Sequence, residues 1–417
     1  MLEIPKAILK GDCMRILIIS SLYPPHVLGG AEICAYNLST WLARNGHEVA
    51  VLTTAPTRDA EVFDEVTEGV RLWRVFTPRA YTVFEAGAAP GWKKPFWHLQ
   101  DVLDPRNESM IANVLDVFKP DFVNVHYIQG LGYNGLKALG ARDLPTAYTL
   151  HDIGLACLNM AMFTGGKECG ELCTTCAMSA KLKRSYIKSI RRIGFISPSQ
   201  ANLDRLLALQ PIAGYPRACI PNAIRYPKPT IERSAADRLR LLYVGKLGKT
   251  KGVDVLMDAL EPLAGTYDFS IKVVGTGPDE GALKAKYGHH PWVEFAGQVP
   301  LQDATNSMAT SDMLFVPSIW LENSPGVVIQ ALAVGLPVMG SDKGGIPELI
   351  THGENGVLVP PGDVEAWRAA IRFVLDNPGQ LEQYRINAAQ RAKEFDQDHL
   401  ASRMVAFFED VVAFPGV

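Results

Sequence analysis

The chain has 417 residues, which at about 150 residues per domain allows two or three domains. Hydrophobic residues make up 47% and charged residues 20%, with 36 glycines and 28 prolines spread along the chain, so disordered, collagen-like and coiled-coil classes are excluded. The net charge of −3 provides no global basic field to recruit nucleic acid; attraction to an anion must be local.

No apolar run approaches the roughly 20 residues of a membrane-spanning helix, and the first 15 residues lack a secretory leader's apolar core, so a cytoplasmic location is expected. MRILIIS (14–20) is a continuous apolar run of strand length, as suits a parallel strand covered on both faces. GGAEICAYNLSTWLARNGH then carries Ile33, Tyr36, Asn37 and Trp41 at helical spacing, with Gly46 where a C-terminal cap belongs. Further strands are predicted at EVAVLTT, VRLWRVF, DFVNVHY, TAYTLHD and GFISPS, with helices between several of them. The pattern is that of a doubly wound α/β layer.

A proline- and charge-rich stretch, 221–238, reads as a linker. The alternation restarts at LRLLYVGKL, with a helix near 251–263, FSIKVVG, a helix near 279–287, VEFAGQV, a short helix, MLFVP, another helix and PVMGSD. From about 363 to 413 three helical segments follow. The expected division is 1–220, a linker at 221–238, a second α/β domain at 239–395, and a final helix at 396–417 packing back on the first domain. Ligands of open α/β sheets sit beyond the carboxyl ends of the strands, so a cleft between the two domains is the expected site.

In VPSIWLENSPGVVIQALAVGLPVMGSD (316–342), Ser324 is placed to cap a helix, Pro325 fits its first turn and Gly335 closes it. The backbone N–H groups around Gly326 to Val328 would then be unpaired and face an anion without needing a side-chain charge. Glu322, just ahead, accepts hydrogen bonds only when ionised and suits a hydroxyl-rich ligand. A well-capped core helix explains this segment alone equally well. Lys246, after a buried strand, and Lys251, before the next helix, are two cations for a departing diphosphate, although loop lysines are usually only solvated. Gly29 and Gly30 precede the first long helix and allow close backbone approach. The dinucleotide fingerprint is missing, since VVGTGPDE has Glu280 at the third glycine position, which argues against a nicotinamide dehydrogenase.

Taken in order, VGKLGKTKG, VVGTGP, AGQV, VPSIWLENSPGVVIQALAVGLPV, GGIPELI and NGVLVPPGD resemble the family 4 retaining glycosyltransferases (glycosyl transferases group 1), from about Met14 to the C-terminal helices. The resemblance implies the GT-B fold, two Rossmann-like domains facing across a cleft with a helical C-terminal tail. It also implies transfer of a sugar from a nucleotide diphosphate donor, UDP- or GDP-linked, to a sugar or lipid-linked acceptor in polysaccharide or glycolipid synthesis, with no metal or other cofactor required. Lys246 and Lys251 look like the basic pair on the diphosphate, the first commonly being arginine. Gly30, with Gly29, matches the glycine loop. Gly275 and Gly277, with Asn323, Ser324, Gly326 and Val327, match backbone positions around the donor. Glu322 matches the first glutamate of an E-x7-E pattern, implied to hold hydroxyls of the donor sugar. His151 matches the first-domain histidine near the reacting sugar, and His126 another position that commonly carries histidine on the acceptor side.

Position 330, the second glutamate of that pattern, is Gln330. Loss of a charge-assisted contact there is expected to cost about 1–2 kcal/mol, or about tenfold in donor binding, and Gln330→Glu to tighten binding or leave it similar. A nucleotide-sugar-binding protein without activity and an epimerase of the same fold are the alternative readings.

Two features stand apart. Cys157, Cys169, Cys173 and Cys176 have a spacing open to zinc or an iron–sulfur centre, or to partly buried thiols. Residues 179–195 carry Lys181, Lys183, Arg184, Lys188, Arg191 and Arg192 beside an apolar stripe of Leu182, Tyr186, Ile190 and Ile193. That stripe fits either contact with an anionic membrane at its inner face or a surface helix packed on its own sheet.

Overall fold

The structure is a computed structural model that describes residues 13–27, 29–164, 167–234 and 238–416. The chain divides into two compact units. One takes the chain up to Met162, Cys169–Ile224 and Gln397 onward; the other takes Phe163–Glu168 and Arg225–Asp396.

The first unit is built on β1 (Arg15–Ser20), β2 (Glu48–Thr54), β3 (Val62–Thr67), β4 (Val70–Val75), β5 (Phe122–Tyr127) and β6 (Thr146–Thr149). A two-stranded hairpin, β7 (Phe163–Thr164) and β8 (Lys167–Glu168), interrupts it before β9 (Ile193–Ser197) and β10 (Arg217–Cys219). The sheet order is β10-β9-β6-β5-β1-β2-β4-β3, parallel throughout except for β3, which runs antiparallel to β4. The apolar runs that read as strands are buried, Ile16 to Ile19 completely. Helix Gly30–Arg44 begins at Gly29, whose N–H donates to Glu32 Oε2 at 3.1 Å, and ends before Gly46, whose φ of 91° needs no Cβ.

The second unit holds β11 (Leu239–Val244), β12 (Phe269–Val274), β13 (Val293–Gly297), β14 (Met313–Val316), β15 (Val338–Ser341) and β16 (Gly356–Val359). Their order is β13-β12-β11-β14-β15-β16, all parallel. Both sheets are therefore Rossmann-like. In the first, strand order reverses between β1 and β5; in the second, between β11 and β14. Ligands bind at such switch points, beyond the carboxyl ends of the strands.

Three helices close the chain: Val364–Asp376, Gln380–Ala392 and Gln397–Ala413. The last belongs to the first unit. Trp41 Nε1 donates to Asp398 Oδ1 at 2.7 Å, and the rings of Phe122 and Phe408 stack with centroids 4.5 Å apart. An added Cβ on Gly194 would lie 2.4 Å from Val411 Cγ2, so this helix sits directly on β9.

Five strand segments escaped the sequence reading. VFDEVT is an edge strand whose residues are mostly exposed, β10 has three residues, β16 has four, and β7 and β8 have two each; none offers an apolar run long enough to register.

Candidate active site

The second unit gathers most of the expected residues at its switch point. After β14 the chain runs through Ser318, Trp320 and Glu322 into helix Gly326–Ala333; after β11 it runs through Lys246 to a short 3-10 turn, Lys249–Lys251. The two loops are tied together: the Ile319 N–H donates to the Thr250 carbonyl at 2.9 Å. Gly252 has φ 65°, and an added Cβ there would meet the Pro317 carbonyl oxygen at 2.1 Å. Only glycine lets the Lys251 turn lie this close.

The result is a buried ion pair. Lys251 Nζ donates to Glu322 Oε1 at 2.5 Å, Ser318 Oγ at 2.6 Å and Trp320 Nε1 at 2.9 Å. Burial alone would raise the Glu322 pKa, but the Lys251 charge and these three donors outweigh it, so the carboxyl is held below the ordinary glutamate value and stays ionised. All three donors meet Oε1, which leaves Oε2 as the acceptor for a further donor. Lys251 also lies 5.2 Å from the centre of the Trp320 ring.

Gly344, in the GGIPELI segment, was given no role from the sequence. Its φ is 62°, and an added Cβ would lie 2.3 Å from the Glu322 carbonyl oxygen and 2.9 Å from its amide nitrogen. The neighbouring Gly345 N–H donates to the same carbonyl at 2.8 Å. The paired glycines thus clamp the Glu322 backbone. A doublet with no apolar period around it carries no signal for this until the contact is seen.

The capping expectation is corrected. Helix Gly326–Ala333 has Pro325 as its N-cap residue and no side-chain cap; the Val328 N–H, expected to be unpaired, instead donates to the Pro325 carbonyl at 2.9 Å. Ser324 Oγ is buried without a hydrogen-bond partner among the described residues. The first-turn N–H groups of Gly326 and Val327 have no intrahelical acceptor. Gly335, at φ 70°, ends the helix as expected.

Gly275 and Gly277 follow β12 beside the Lys246 loop. An added Cβ would meet the Gly245 carbonyl oxygen at 1.9 Å and the Leu247 carbonyl oxygen at 2.1 Å respectively. Packing of loop on loop therefore demands glycine at both, whatever else their backbones touch. Lys246 itself is exposed, its carbonyl accepting from the Tyr243 hydroxyl at 2.9 Å.

In the first unit His126, at the end of β5, and His151, just past β6, lie side by side with Nδ1 of His126 2.9 Å from Nε2 of His151. His126 Nε2 is 2.7 Å from Asn124 Oδ1. Burial pushes the His151 pKa down to about 4, and burial together with the neighbouring His151 ring drives His126 well below its ordinary value, so both rings are neutral at pH 7. An added Cβ on Gly30 would meet nothing within 4 Å, which leaves open space above the start of the first helix. Leu28, in the same loop, lies outside the described residues.

The family 4 glycosyltransferase model matches residues 28–225, and the glycosyl transferases group 1 model matches residues 238–377. The chain belongs to the group 1, family 4 glycosyltransferases. It is 27% identical over 403 residues to a glycogen synthase of Mycobacterium tuberculosis, covering 93% of each. Its fold matches a sucrose-phosphate synthase from Thermosynechococcus elongatus with a TM-score of 0.74 at 19% identity, covering 96% of this chain and 99% of the other. It also matches HepE of Anabaena in complex with UDP-glucose, with a TM-score of 0.66 at 18% identity, covering 94% and 98%. The fold is GT-B.

In this glycosyltransferase Gln330 is committed to a partner: its Nε2 donates to the buried Thr305 Oγ1 at 2.8 Å, and that hydroxyl donates to the Leu301 carbonyl at 3.0 Å. Thr305 therefore accepts from position 330, and a glutamate there has no proton to give. Gln330→Glu should lower stability by about 1–2 kcal/mol, read as a lower thermal midpoint, an effect separate from the donor binding that the sequence led us to expect unchanged or tighter. An unchanged midpoint would contradict this role for the amide.

Among the described residues of the glycosyltransferase no three His, Cys, Asp or Glu side chains are grouped to hold a metal ion, although Cys173 and Cys176 interact through their side chains. Cys157 lies in the hydrophobic core, with Cys169 and Cys176 packed against it, while Cys173 is exposed at the start of helix Thr174–Lys188. The buried thiols act as small apolar side chains. Of the two readings of the basic segment 179–195, packing on its own sheet accounts for most of the apolar stripe. Its helix ends at Lys188; Tyr186, Ile190 and Ile193 are buried in the core, as is Lys183, whose Nζ donates to the Gly154 carbonyl at 2.6 Å. Arg191 and Arg192 pair with Asp143. Three of the four stripe residues thus pack in their own core, and Leu182 stays exposed. Among the described residues no helix is long and apolar enough to cross a membrane.

Proposed function

We propose that this glycosyltransferase moves a glycosyl unit from a nucleoside diphosphate sugar to a hydroxyl acceptor with retention of anomeric configuration and without a metal ion. The observation that carries the reading is the ionised, buried Glu322, braced on one oxygen by Lys251, Ser318 and Trp320. A carboxylate so held costs several kcal/mol to desolvate, which a purely structural role would not justify when an apolar side chain fills the same volume. Its other oxygen suits the hydroxyls of a donor sugar. The first-turn N–H groups at Gly326 and Val327 and the orphaned Ser324 hydroxyl supply donors for a diphosphate beside it.

In this mechanism the bond from the anomeric carbon to the diphosphate oxygen breaks and its electron pair leaves on the diphosphate. The helix-start dipoles, Lys246 and Lys251 stabilise that charge. The acceptor oxygen bonds to the anomeric carbon from the same face, and its proton passes to the departing phosphate oxygen, so no protein nucleophile is needed. His151 and His126 are the first unit's candidates for contact with the substrates, on the family resemblance. HepE in complex with UDP-glucose supports a sugar-nucleotide donor; UDP- and GDP-sugars are the donors to try.

The test is transfer from a panel of UDP- and GDP-sugars to sugar and lipid-linked hydroxyl acceptors, with the anomeric configuration of the product read by proton NMR in chelator-treated buffer. Retained configuration is expected. Inverted product, or turnover only on adding a divalent metal, would contradict the mechanism. An altered donor sugar with no acceptor used would identify an epimerase.

A further inference from the structure

We propose that Cys173 and Cys176 form a redox-active dithiol that exchanges with small disulfides, Cys173 as the attacking sulfur and Cys176 as the resolving one. The run Cys-Thr-Thr-Cys opens helix Thr174–Lys188: Cys173 is its N-cap residue, with extended backbone at φ −66° and ψ 163°, and Cys176 is its third residue. An N-cap side chain lies over the third helical residue, the relation a capping serine has with its partner, so the two thiols face each other. Their side chains interact. They differ in access. Cys173 is exposed, whereas Cys176 is half-buried and packs against the core that holds Cys157. A disulfide arriving from solvent therefore meets Cys173 first.

The helix start favours a thiolate at the exposed position. Its first turn contains no acidic residue and no side chain caps it, so its positive end is not neutralised by a carboxylate. Thr175 Oγ1 lies 3.2 Å from Cys173 Sγ and donates to it once the sulfur is ionised. That hydroxyl, followed by the N–H and the thiol of Cys176, holds the Cys173 pKa down to about 7, while burial pushes Cys176 up to about 11. The two thiols are thus unequal at pH 7, one about half ionised and the other protonated. An attacking thiol works best with a pKa near the ambient pH. Packing explains the buried Cys157; it does not explain an exposed cysteine set against a half-buried one at a helix start.

The exchange balances with a disulfide, such as oxidised glutathione, as the oxidant. The Cys173 thiolate attacks one of its sulfurs, the disulfide bond breaks, and one thiolate leaves and takes up a proton. Cys176 then gives up its proton and attacks Cys173 Sγ, and the second thiolate leaves and is protonated in turn. The pair has lost two electrons and two protons and gained one sulfur–sulfur bond, and the disulfide has become two thiols. Excess thiol runs the same steps backwards.

The test equilibrates reduced full-length protein at pH 7 with graded ratios of reduced to oxidised glutathione, quenches by alkylation and maps the cysteines by peptide mass spectrometry. In the wild type a Cys173–Cys176 disulfide should accumulate as oxidised glutathione rises and disappear on return to reductant. Cys176→Ser should stop the reaction at one glutathionyl group on Cys173. Cys173→Ser should slow oxidation of Cys176 at least about tenfold, because the remaining thiol is protonated. A disulfide joining Cys176 to Cys157 or Cys169, glutathione trapped on Cys176 ahead of Cys173, or a pair that stays reduced in oxidised glutathione alone would overturn the proposal. So would zinc or iron retained by the reduced protein and released when Cys173 and Cys176 are alkylated.

Discussion

Replacing Glu322 with glutamine is expected to lower kcat/KM about a hundredfold or more. Glutamine keeps the shape and one oxygen, and that oxygen can still receive Lys251, Ser318 and Trp320. Its NH2 group then occupies the position of Oε2, where it donates instead of accepting, and the Lys251 ammonium loses its counter-charge. A charge-assisted hydrogen bond to a ligand hydroxyl contributes about 1.5–3 kcal/mol, equivalent to about 10- to 150-fold. The unpaired lysine adds to this, because its side chain is only 27% exposed and water screens it poorly. Folding should survive, with a thermal midpoint lowered by a few degrees. Steady-state kinetics with the preferred donor check the effect; activity within about threefold of wild type would remove Glu322 from the reaction.

Gly344→Ala should be nearly as damaging although residue 344 carries no functional group. A left-handed conformation costs a non-glycine residue about 1–3 kcal/mol. The added methyl would also have to move the Glu322 backbone, since 2.3 Å from its carbonyl oxygen is far inside contact distance. The total loss should be about 3 kcal/mol, or about 6–12 °C in the thermal midpoint for a unit of this size. Displacing Glu322 by even a few tenths of an ångström shifts the carboxylate against its three donors, so kcat/KM should fall by about tenfold beyond what the stability loss explains. Calorimetric melting and kinetics on the surviving folded fraction check both parts. A variant that melts and reacts like the wild type would show that Gly344 does not brace Glu322.

The two sheets were legible because their strands are buried on both faces and so appear as unbroken apolar runs, Ile16 to Ile19 being the plainest case. Lys251 and Glu322 were legible as chemistry, and their spacing around a strand end and a helix start drew attention to them. Their contact was not, because it depends on two residues 71 apart being brought together by Gly252 and Pro317. Ser324 misled for a related reason. A serine two residues before a helix reads as a cap, but Pro325 takes that place and leaves the hydroxyl unmet. The stripe at Tyr186, Ile190 and Ile193 had helical spacing, yet the helix stops at Lys188 and Ile193 belongs to β9. Periodicity shows which residues are apolar and cannot say whether water or a sheet covers them. Gln330 shows the same limit for polar residues: its partner, Thr305, lies on another helix and leaves no mark on the local sequence.

Calorimetric titration of the wild type and Glu322→Gln with UDP, UDP-glucose, GDP and GDP-mannose bears most directly on a diphosphate sugar held beside Glu322. One matched pair should bind the wild type with the sugar nucleotide tighter than its diphosphate. In Glu322→Gln the diphosphate should bind within about threefold of wild type while the advantage of the attached sugar disappears. Equal sugar discrimination in the two proteins, or no nucleotide bound by the wild type, would contradict the account.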